Sequence, residues 1–164
     1  MFARLFQAIG FGAALLAGGL AAHADETALI VHAAGSDAVK LSAAEIRKLP
    51  AQRIHATPEH RAGGDYDCTP LAGVLSSTGA VPEKSLRGKR MADYLRVAAA
   101  DGYEVAFALP EIDPEFTDRQ VLLCYAKDGA PLAADEGPLR LIVPGEKRQA
   151  RWVRGVTGLF VERK

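Results

Sequence analysis

Two Asp-Gly pairs between apolar segments constrain the fold most strongly. Asp101-Gly102 separates strands predicted over residues 95–98 and 103–107, because Asp-Gly is favoured in tight antiparallel hairpins. Asp128-Gly129 predicts a second turn after a strand over residues 121–126. Further strands are predicted over residues 29–31, 53–57, 139–143, 151–156 and 159–161. Many short strands with few short helices predict a single α+β domain dominated by β structure.

Two short helices are predicted between these strands. Residues 42–45 have the Ser-x-x-Glu spacing of a capping box, and Pro50 ends the helix that they open. Thr69 followed by Pro70 predicts a second helix, with Pro70 at its first position and a stop at Gly79. Helices this few and short fit a fold dominated by its sheets.

The N-terminus has the pattern of a secretory signal. Arg4 supplies the positive charge, residues 9–20 supply a short apolar run, and Ala22-His23-Ala24 is a small-residue cleavage motif. The apolar run is too short to span a bilayer comfortably. We therefore expect cleavage after Ala24, a domain over residues 25–164, a periplasmic location and no stable membrane insertion afterwards.

Charge and motifs exclude several function classes. The chain has 20 basic and 20 acidic residues, and loss of the predicted signal removes one Arg and no acid, which leaves a net charge of −1. This balance is not typical of a nucleic-acid-binding domain. The sequence has no Walker loop, no dinucleotide glycine fingerprint and no nucleophile elbow. It therefore offers no motif for nucleotide binding or nucleophilic catalysis.

Cys68 and Cys124 are the only cysteines of the chain. In an exported protein they could form a disulfide. On the chain-entropy model, closing a loop of this length would stabilise the fold by roughly 4 kcal/mol. Alternatively, Cys124 could be a buried free thiol within its apolar strand. The sequence leaves both readings open.

Residues 137–145, Gly-Pro-Leu-Arg-Leu-Ile-Val-Pro-Gly, and the Arg148, Arg151 and Trp152 that follow have the composition of a ligand-binding loop. Gly and Pro fix a tight bend that lets the backbone approach a ligand closely. Guanidinium groups suit anionic oxygens, and an indole face suits a flat heteroaromatic ring. The segment therefore predicts a ligand made of a ring with anionic groups.

Several linked segments together resemble the molybdopterin-binding domain of sulfite-oxidase-like oxidoreductases. They are residues 95–109, residues 121–132, residues 137–145 and the loop 148–153. Upstream, residues 66–71 resemble the family's Gly-Val-Pro-Leu helix start, with Cys68 where Gly is usual. The resemblance implies a β-dominated sulfite-oxidase-like fold with a cleft for a pterin cofactor.

The resemblance and the residue chemistry together give a set of candidate ligand-binding residues. They are Trp152, Arg148, Arg151, Tyr103, Asp101, His60 and Arg61. Trp152 or Tyr103 would stack on the ring, and the loop arginines would contact its anionic substituents. Asp101 would pair with an aminopyrimidine edge, and His60 and Arg61 would form a polar wall. The alternatives are a solvated face for the Arg-rich loop and core packing for the tryptophan.

The resemblance also implies a molybdenum ligand that this chain lacks. Catalytic members hold the metal through a Cys about a dozen residues before the Pro-Leu of the helix start, and counting back from Pro70 reaches Thr57, with no Cys nearby. A hydroxyl cannot replace a soft thiolate. Cys68 could serve only if its loop shifted, and His55 and His60 lack further spaced ligands. We therefore expect no metal site and favour a protein that is not an enzyme.

Three functions follow from the resemblance. The favoured one is an exported, non-catalytic pterin-binding protein, because short exported relatives without the thiolate are linked to pterin sensing through membrane-bound enzymes of cyclic-di-GMP turnover. It implies an inner-membrane sensor protein as partner. The second is a molybdenum-cofactor-dependent oxidoreductase or a subunit of one, with the metal held by the dithiolene alone or through Cys68. The third is a protein-interaction module with a vestigial cleft.

Overall fold

The computed structural model describes residues 27–81 and 86–164, so the predicted signal segment and its cleavage site lie outside the described residues. Within these ranges there are ten strands, two short α-helices and three 3₁₀ turns. The strands are β1 (Thr27–Ala33), β2 (Val39–Ser42), β3 (Gln52–Ala56), β4 (Gly64–Pro70), β5 (Tyr94–Ala99), β6 (Glu104–Ala108), β7 (Leu122–Lys127), β8 (Ala130–Pro131), β9 (Arg140–Ile142) and β10 (Val156–Glu162). The helices are α1 (Ala43–Ile46) and α2 (Leu71–Ser77), and the 3₁₀ turns are Gly88–Ala92, Leu109–Glu111 and Gln149–Arg151. The prediction of a β-dominated α+β domain is confirmed.

The strands form two sheets. The first has the order β2-β1-β10-β5-β6, in which β10 is parallel to β1 and antiparallel to β5. The second joins β3, β4 and β7, and the other edge of β7 pairs with β9 near its start and with β8 at its end. β7 is therefore the strand on which the second sheet is assembled.

Both Asp-Gly predictions are confirmed. Asp101-Gly102 connects β5 to β6, which pair antiparallel, and Gly102 has a φ of 83°. Asp128-Gly129 connects β7 to β8, and the two residues have φ values of 50° and 79°. Asp128-Gly129 has the positive φ at both central residues that a tight two-residue hairpin turn requires, whereas in the β5–β6 connection only Gly102 has a positive φ.

The first helix has the predicted start and the second differs by one residue. Ser42 Oγ accepts a hydrogen bond from the Glu45 N–H, and the Glu45 carboxylate accepts one from the Ser42 N–H, which completes the capping box. Pro70 is not the first residue of α2, because its ψ of 132° keeps it extended as the last residue of β4. None of the helices in the described ranges has the length and apolar character that a membrane crossing requires.

The strand predicted over residues 151–156 is wrong. Arg151 ends the 3₁₀ turn, Trp152 has a φ of −85° and a ψ of 77°, and β10 begins only at Val156. The Leu141 N–H donates to the Val153 carbonyl, so the segment still contacts β9 through one backbone bond. Strand alternation therefore does not set the direction of the Trp152 side chain.

Two apolar clusters lie on opposite faces of the second sheet. The larger fills the space between the sheets and includes Leu71, Val74 and Leu75, the residues of α2 that share one face. The smaller consists of Ala56, Tyr66, Cys68, Leu122, Cys124, Leu132 and Ile142. Trp152 packs against both clusters, so the loop that precedes β10 is attached to both cores.

A disulfide joins Cys68 of β4 to Cys124 of β7 inside the smaller cluster. The two residues are register partners on neighbouring strands, and both are fully buried. The alternative of a free thiol at Cys124 is therefore wrong. Cys68 is likewise unavailable as a thiolate, so the suggestion that it holds a metal is also wrong.

We expect removal of this disulfide to destabilise the fold. The bond links residues 56 positions apart, and a loop of that size corresponds to roughly 4 kcal/mol on the chain-entropy model. Urea unfolding of the Cys68→Ala/Cys124→Ala variant should therefore show a lower midpoint than the oxidised protein, and the reduced wild type should match the variant. An unchanged midpoint would mean that the bond adds nothing to the packing of β4 on β7.

Candidate functional site

A cleft of about 530 Å³ opens between the β3–β4 loop, β9 and the segment that leads into β10. Its volume lies within the range of small-molecule sites. Its lining residues are Glu59, His60, Arg61, Arg140, Gln149, Trp152 and Arg154. Three arginines and a histidine therefore face two acidic or amide groups and one indole in a small space.

Arg140 is the buried cation of this cleft. Its Nη1 donates to Glu136 Oε1 over 2.8 Å, and each of the two side chains is only 4% exposed. Burial lowers the pKa of Arg140, because the charged form loses its water, while the attraction of Glu136 opposes that shift. The guanidinium remains charged, since arginine is not deprotonated in proteins.

Two buried polar atoms near the cleft have no hydrogen-bond partner among the described residues. They are Arg140 Nε and the hydroxyl oxygen of Tyr66, which belongs to the small apolar cluster beside Trp152. Buried donors without a partner are uncommon in native folds and each one requires an explanation. A polar ligand in the cleft would supply the missing partner to Arg140 Nε.

Arg61 forms one wall of the cleft. Its Nη2 donates to Asp135 Oδ2 over 2.6 Å, and its Nε lies 3.4 Å from Glu136 Oε1. The hydrogen bond with Asp135 raises the pKa of Arg61, and the same bond lowers the pKa of the Asp135 carboxyl. Both groups are therefore charged at neutral pH, and Arg61 is held beside the buried Arg140–Glu136 pair.

The Gln149 carboxamide fastens the β3–β4 loop to the 3₁₀ turn. Its Nε2 donates to the Thr57 carbonyl over 3.0 Å, and its Oε1 accepts from the Glu59 N–H over 2.6 Å. The same loop continues into His60, whose φ of 61° lies in the left-handed region. Gln149 thus positions the loop that carries His60 and Arg61.

Trp152 serves both the core and the cleft, which the sequence had left as alternatives. Its Nε1 donates to the Val143 carbonyl over 2.9 Å, and its ring packs against both apolar clusters. The residue also lines the cleft. The hydrogen bond fixes the indole in one orientation, so its exposed part is preorganised for a planar ligand.

Arg151 lies outside the cleft, contrary to the prediction. Its guanidinium donates to Glu146 through Nε and Nη2 and to Glu111 through Nη1, and it lies 4.3 Å from the centre of the Phe107 ring. Burial acts to lower the pKa of Arg151, but the hydrogen bonds to Glu146 and Glu111 outweigh it and raise this pKa. Arg151 therefore holds the loop in place and does not line the ligand cleft.

Three further predicted residues also lie away from the cleft. Asp101 Oδ1 accepts from the Tyr103 N–H within the hairpin turn, and the Tyr103 hydroxyl donates to the Ala150 carbonyl over 2.8 Å. Arg148 is exposed at the start of the 3₁₀ turn and is absent from the lining. Of the seven candidates, the structure brings His60, Arg61 and Trp152 together.

The sequence prediction missed four lining residues. Arg140 could have been identified from the sequence, because it is the only charged residue in the apolar run 139–143, and a charge that is buried with its strand needs a partner or a function. Gln149, Glu59 and Arg154 carried no comparable signal. Their place in the cleft depends on how two distant loops meet.

A family model described as the oxidoreductase molybdopterin binding domain matches residues 18–164. The chain belongs to this family. The prediction from the linked motifs is thereby confirmed, and so is the sulfite-oxidase-like character of the fold.

Among solved structures, the chain is similar to the sulfane dehydrogenase SoxCD from Paracoccus pantotrophus, with a TM-score of 0.61 and 18% sequence identity. The match covers 83% of this chain and 38% of the SoxCD chain, so this chain spans well under half of that protein. At this identity the likeness shows the shared fold alone. No curated protein matches the sequence.

The residues present fit the organic part of the family's cofactor. A pterin has a flat ring with a hydrogen-bonding edge, and molybdopterin adds anionic groups. Trp152 offers an aromatic surface, while Arg61, Arg140 and Arg154 offer donors for polar and anionic atoms. Bound there, the pterin would supply that flat hydrogen-bonding surface, and these side chains would orient it.

The residues do not fit the metal–thiolate bond that the resemblance implies. Cys68 and Cys124 are the only cysteines, and the disulfide consumes both sulfur atoms. Within residues 27–81 and 86–164 there is also no group of three or more His, Cys, Asp or Glu placed to hold a metal ion. This protein therefore has no thiolate to offer to molybdenum.

We expect the buried Arg140–Glu136 ion pair to contribute more to the free energy of unfolding than the more exposed Arg61–Asp135 pair beside it. Glu136→Gln leaves Arg140 charged and buried without its counter-ion, and breaking a buried pair costs about 3 kcal/mol or more. Asp135→Asn removes the partner of Arg61, but Asp135 is 61% exposed, and exposed pairs are worth about 0–1 kcal/mol. Urea unfolding of both variants measures the difference, and equal midpoints would contradict this account of Arg140.

Proposed function

We propose that this protein binds a pterin in the cleft, performs no redox catalysis, and acts in the periplasm as a ligand sensor for a membrane-bound enzyme of cyclic-di-GMP turnover. One observation carries the proposal. The cleft keeps an aromatic surface and a buried guanidinium with a free donor, while the sulfur atoms that could bind molybdenum are locked in a disulfide.

The family's ligand class supports the choice of a pterin. Members of this family bind molybdopterin, and the cleft of this chain has the size and the donor set for a substituted bicyclic ring. Arg154 lines the cleft and makes no ion pair among the described residues, so its charge remains open to the ligand, and Arg140 adds a buried positive charge whose Nε has no partner. A pterin with an anionic substituent is therefore preferred over an uncharged one.

The absence of catalysis is proposed from the donor chemistry. Redox chemistry in catalytic relatives, as the resemblance implies, runs through a metal fixed by one protein thiolate. The buried disulfide leaves no thiolate in the chain. Family membership favours a molybdenum-dependent oxidoreductase as the second candidate, and that protein would have to hold the metal through the dithiolene alone.

The sensing role rests on the resemblance to short exported relatives and on the predicted signal segment. A sensor needs an affinity near the working concentration of its ligand, and ring stacking with two or three charge-assisted hydrogen bonds is compatible with micromolar binding, on the order of −8 kcal/mol. The membrane-bound partner would contain a region exposed to the periplasm. Its enzymatic domain would then respond from the cytoplasmic side.

We expect a reduced pterin to quench the fluorescence of Trp152, the only tryptophan of the chain. Arg61→Ala and Arg154→Ala should each weaken binding at least about tenfold, because each removes a charged donor from the cleft, worth about 1.5–3 kcal/mol. Arg148→Ala is the matched control, since it removes the same charge from a residue outside the cleft and should change the affinity less than about twofold.

Calorimetric titration with the same pterins, with and without a phosphate, separates specific binding from optical artefacts. Tighter binding of the phosphorylated compound, lost in Arg154→Ala, would support the preference for an anionic ligand. Equal losses in all three arginine variants would indicate a diffuse charge effect, and no binding to any pterin would refute the proposed function.

A further inference from the structure

The segment between β6 and β7 is acidic and presents an exposed aromatic residue. Residues 110–118 contain four acids, Glu111, Asp113, Glu115 and Asp118, and no basic residue, although the whole chain is neutral. Arg151 neutralises only Glu111 by a direct hydrogen bond. Phe116 lies among these acids and is 44% exposed, so an apolar ring is presented to solvent beside negative charge.

A groove borders this segment. A depression of about 340 Å³ lies against Phe116 and Pro110, and it shares Thr117 and Arg119 with a larger, mainly apolar groove of about 470 Å³ that continues to α2. We call the two together the acidic groove. Arg119 lies 4.0 Å from Glu111 and 3.9 Å from Glu146, and these two acids offset its charge. Apolar surface next to an excess of acidic groups is typical of a recognition surface.

The larger groove has open space and one unsatisfied polar group. A Cβ at Gly73, which lines the groove within α2, would meet no atom within 4 Å. Thr69 also lines it, is fully buried, and its hydroxyl has no hydrogen-bond partner among the described residues. Buried polar groups are nearly always paired in native folds, so Thr69 marks a position in this groove where a polar contact is missing.

We propose that the acidic groove docks a basic segment of a partner protein, with apolar side chains of that segment packing against Phe116 and the groove. Charge complementarity selects this occupant: Lys or Arg side chains would pair with Asp118, which lines the groove, and with Asp113 and Glu115 on the segment beside it. None of the three acids forms an ion pair among the described residues. An anionic membrane surface would be repelled by the same acids. A symmetric contact between two copies would place the acidic segments against each other, which is unfavourable.

The groove is also in physical contact with the loop that forms the ligand cleft. Arg151 joins Glu111 of the acidic segment to Glu146 of the loop, and Arg119 on the groove rim lies 3.9 Å from Glu146. The neighbouring Gln149 and Trp152 line the cleft. On the proposed function, on which this step rests, a partner in the groove is therefore placed to respond to the ligand.

The test is site-specific photo-crosslinking in cells that export the full chain. A benzophenone amino acid replaces Phe116, and in a control strain it replaces Tyr103, which is also an exposed aromatic residue at 47% but lies outside the acidic segment. We expect a covalent adduct from position 116 and none from position 103. Mass spectrometry of the adduct should place the link in a partner segment of net positive charge.

The captured protein is then purified and titrated with the wild-type chain. Phe116→Ser and the double variant Glu115→Lys/Asp118→Lys should each weaken its binding at least about tenfold, and reversing the partner's basic residues should restore binding to the double variant. The proposal is overturned by no adduct at position 116, by equal adducts at both positions, by an adduct with a second copy or with lipid, or by a neutral or acidic partner segment.

Addition of a reduced pterin separates this inference from the proposed function. A change in partner affinity with pterin supports both. A specific adduct at position 116 together with no binding of pterin would support the docking site and refute the sensing role. Pterin binding with no adduct at position 116 would overturn the docking site and leave the proposed pterin-binding function intact.

Discussion

The disulfide between Cys68 and Cys124 is the constraint on which the rest of this structure depends. It ties β4 to β7 within the small apolar cluster, and that cluster supports Trp152 and the cleft on the outer face of the second sheet. The same bond takes away the only two thiols of the chain, which could otherwise coordinate molybdenum as thiolates. Thr57 stands where the resemblance places the metal-binding Cys, and the disulfide removes the two other thiols that could have replaced it.

The 3₁₀ turn Gln149–Arg151 distributes its contacts in different directions. Gln149 fastens the β3–β4 loop, the Ala150 carbonyl receives the Tyr103 hydroxyl, and Arg151 pairs with Glu111 and Glu146. Successive side chains of a 3₁₀ turn diverge by about 120°, because the turn has three residues per revolution. This divergence explains why the Gln149 side chain lines the cleft and the Arg151 side chain does not; the contact of Ala150 is made by its backbone carbonyl.

Local interactions were the part of the fold that the sequence could predict. The two Asp-Gly turns and the Ser42–Glu45 capping box involve residues within three positions of each other, and all three formed as expected. Strand β4 was missed, since its two aspartates are poor strand formers. Its partners compensate for them: Arg53 pairs with Asp67 and His55 with Asp65, each directly across the β3–β4 ladder.

The cleft was predicted only in part for a related reason. Trp152, which the motif indicated, lines the cleft, but the buried Arg140–Glu136 pair and the Gln149 contacts arise from loops that meet only in the folded chain. Arg151, Tyr103 and Asp101 were assigned to the ligand from the resemblance and from residue chemistry, and the structure gives them contacts that hold the loop and the hairpin. Within the loop, Gln149 and Trp152 line the cleft, whereas Arg151 supports the loop.

The most direct measurement is the joint determination of molybdenum and pterin in protein purified from cells that synthesise the molybdenum cofactor. Metal analysis and fluorimetry of the released pterin are made on the same sample. We expect pterin bound at up to one per chain with no accompanying molybdenum. Stoichiometric molybdenum in protein whose disulfide is intact would contradict it.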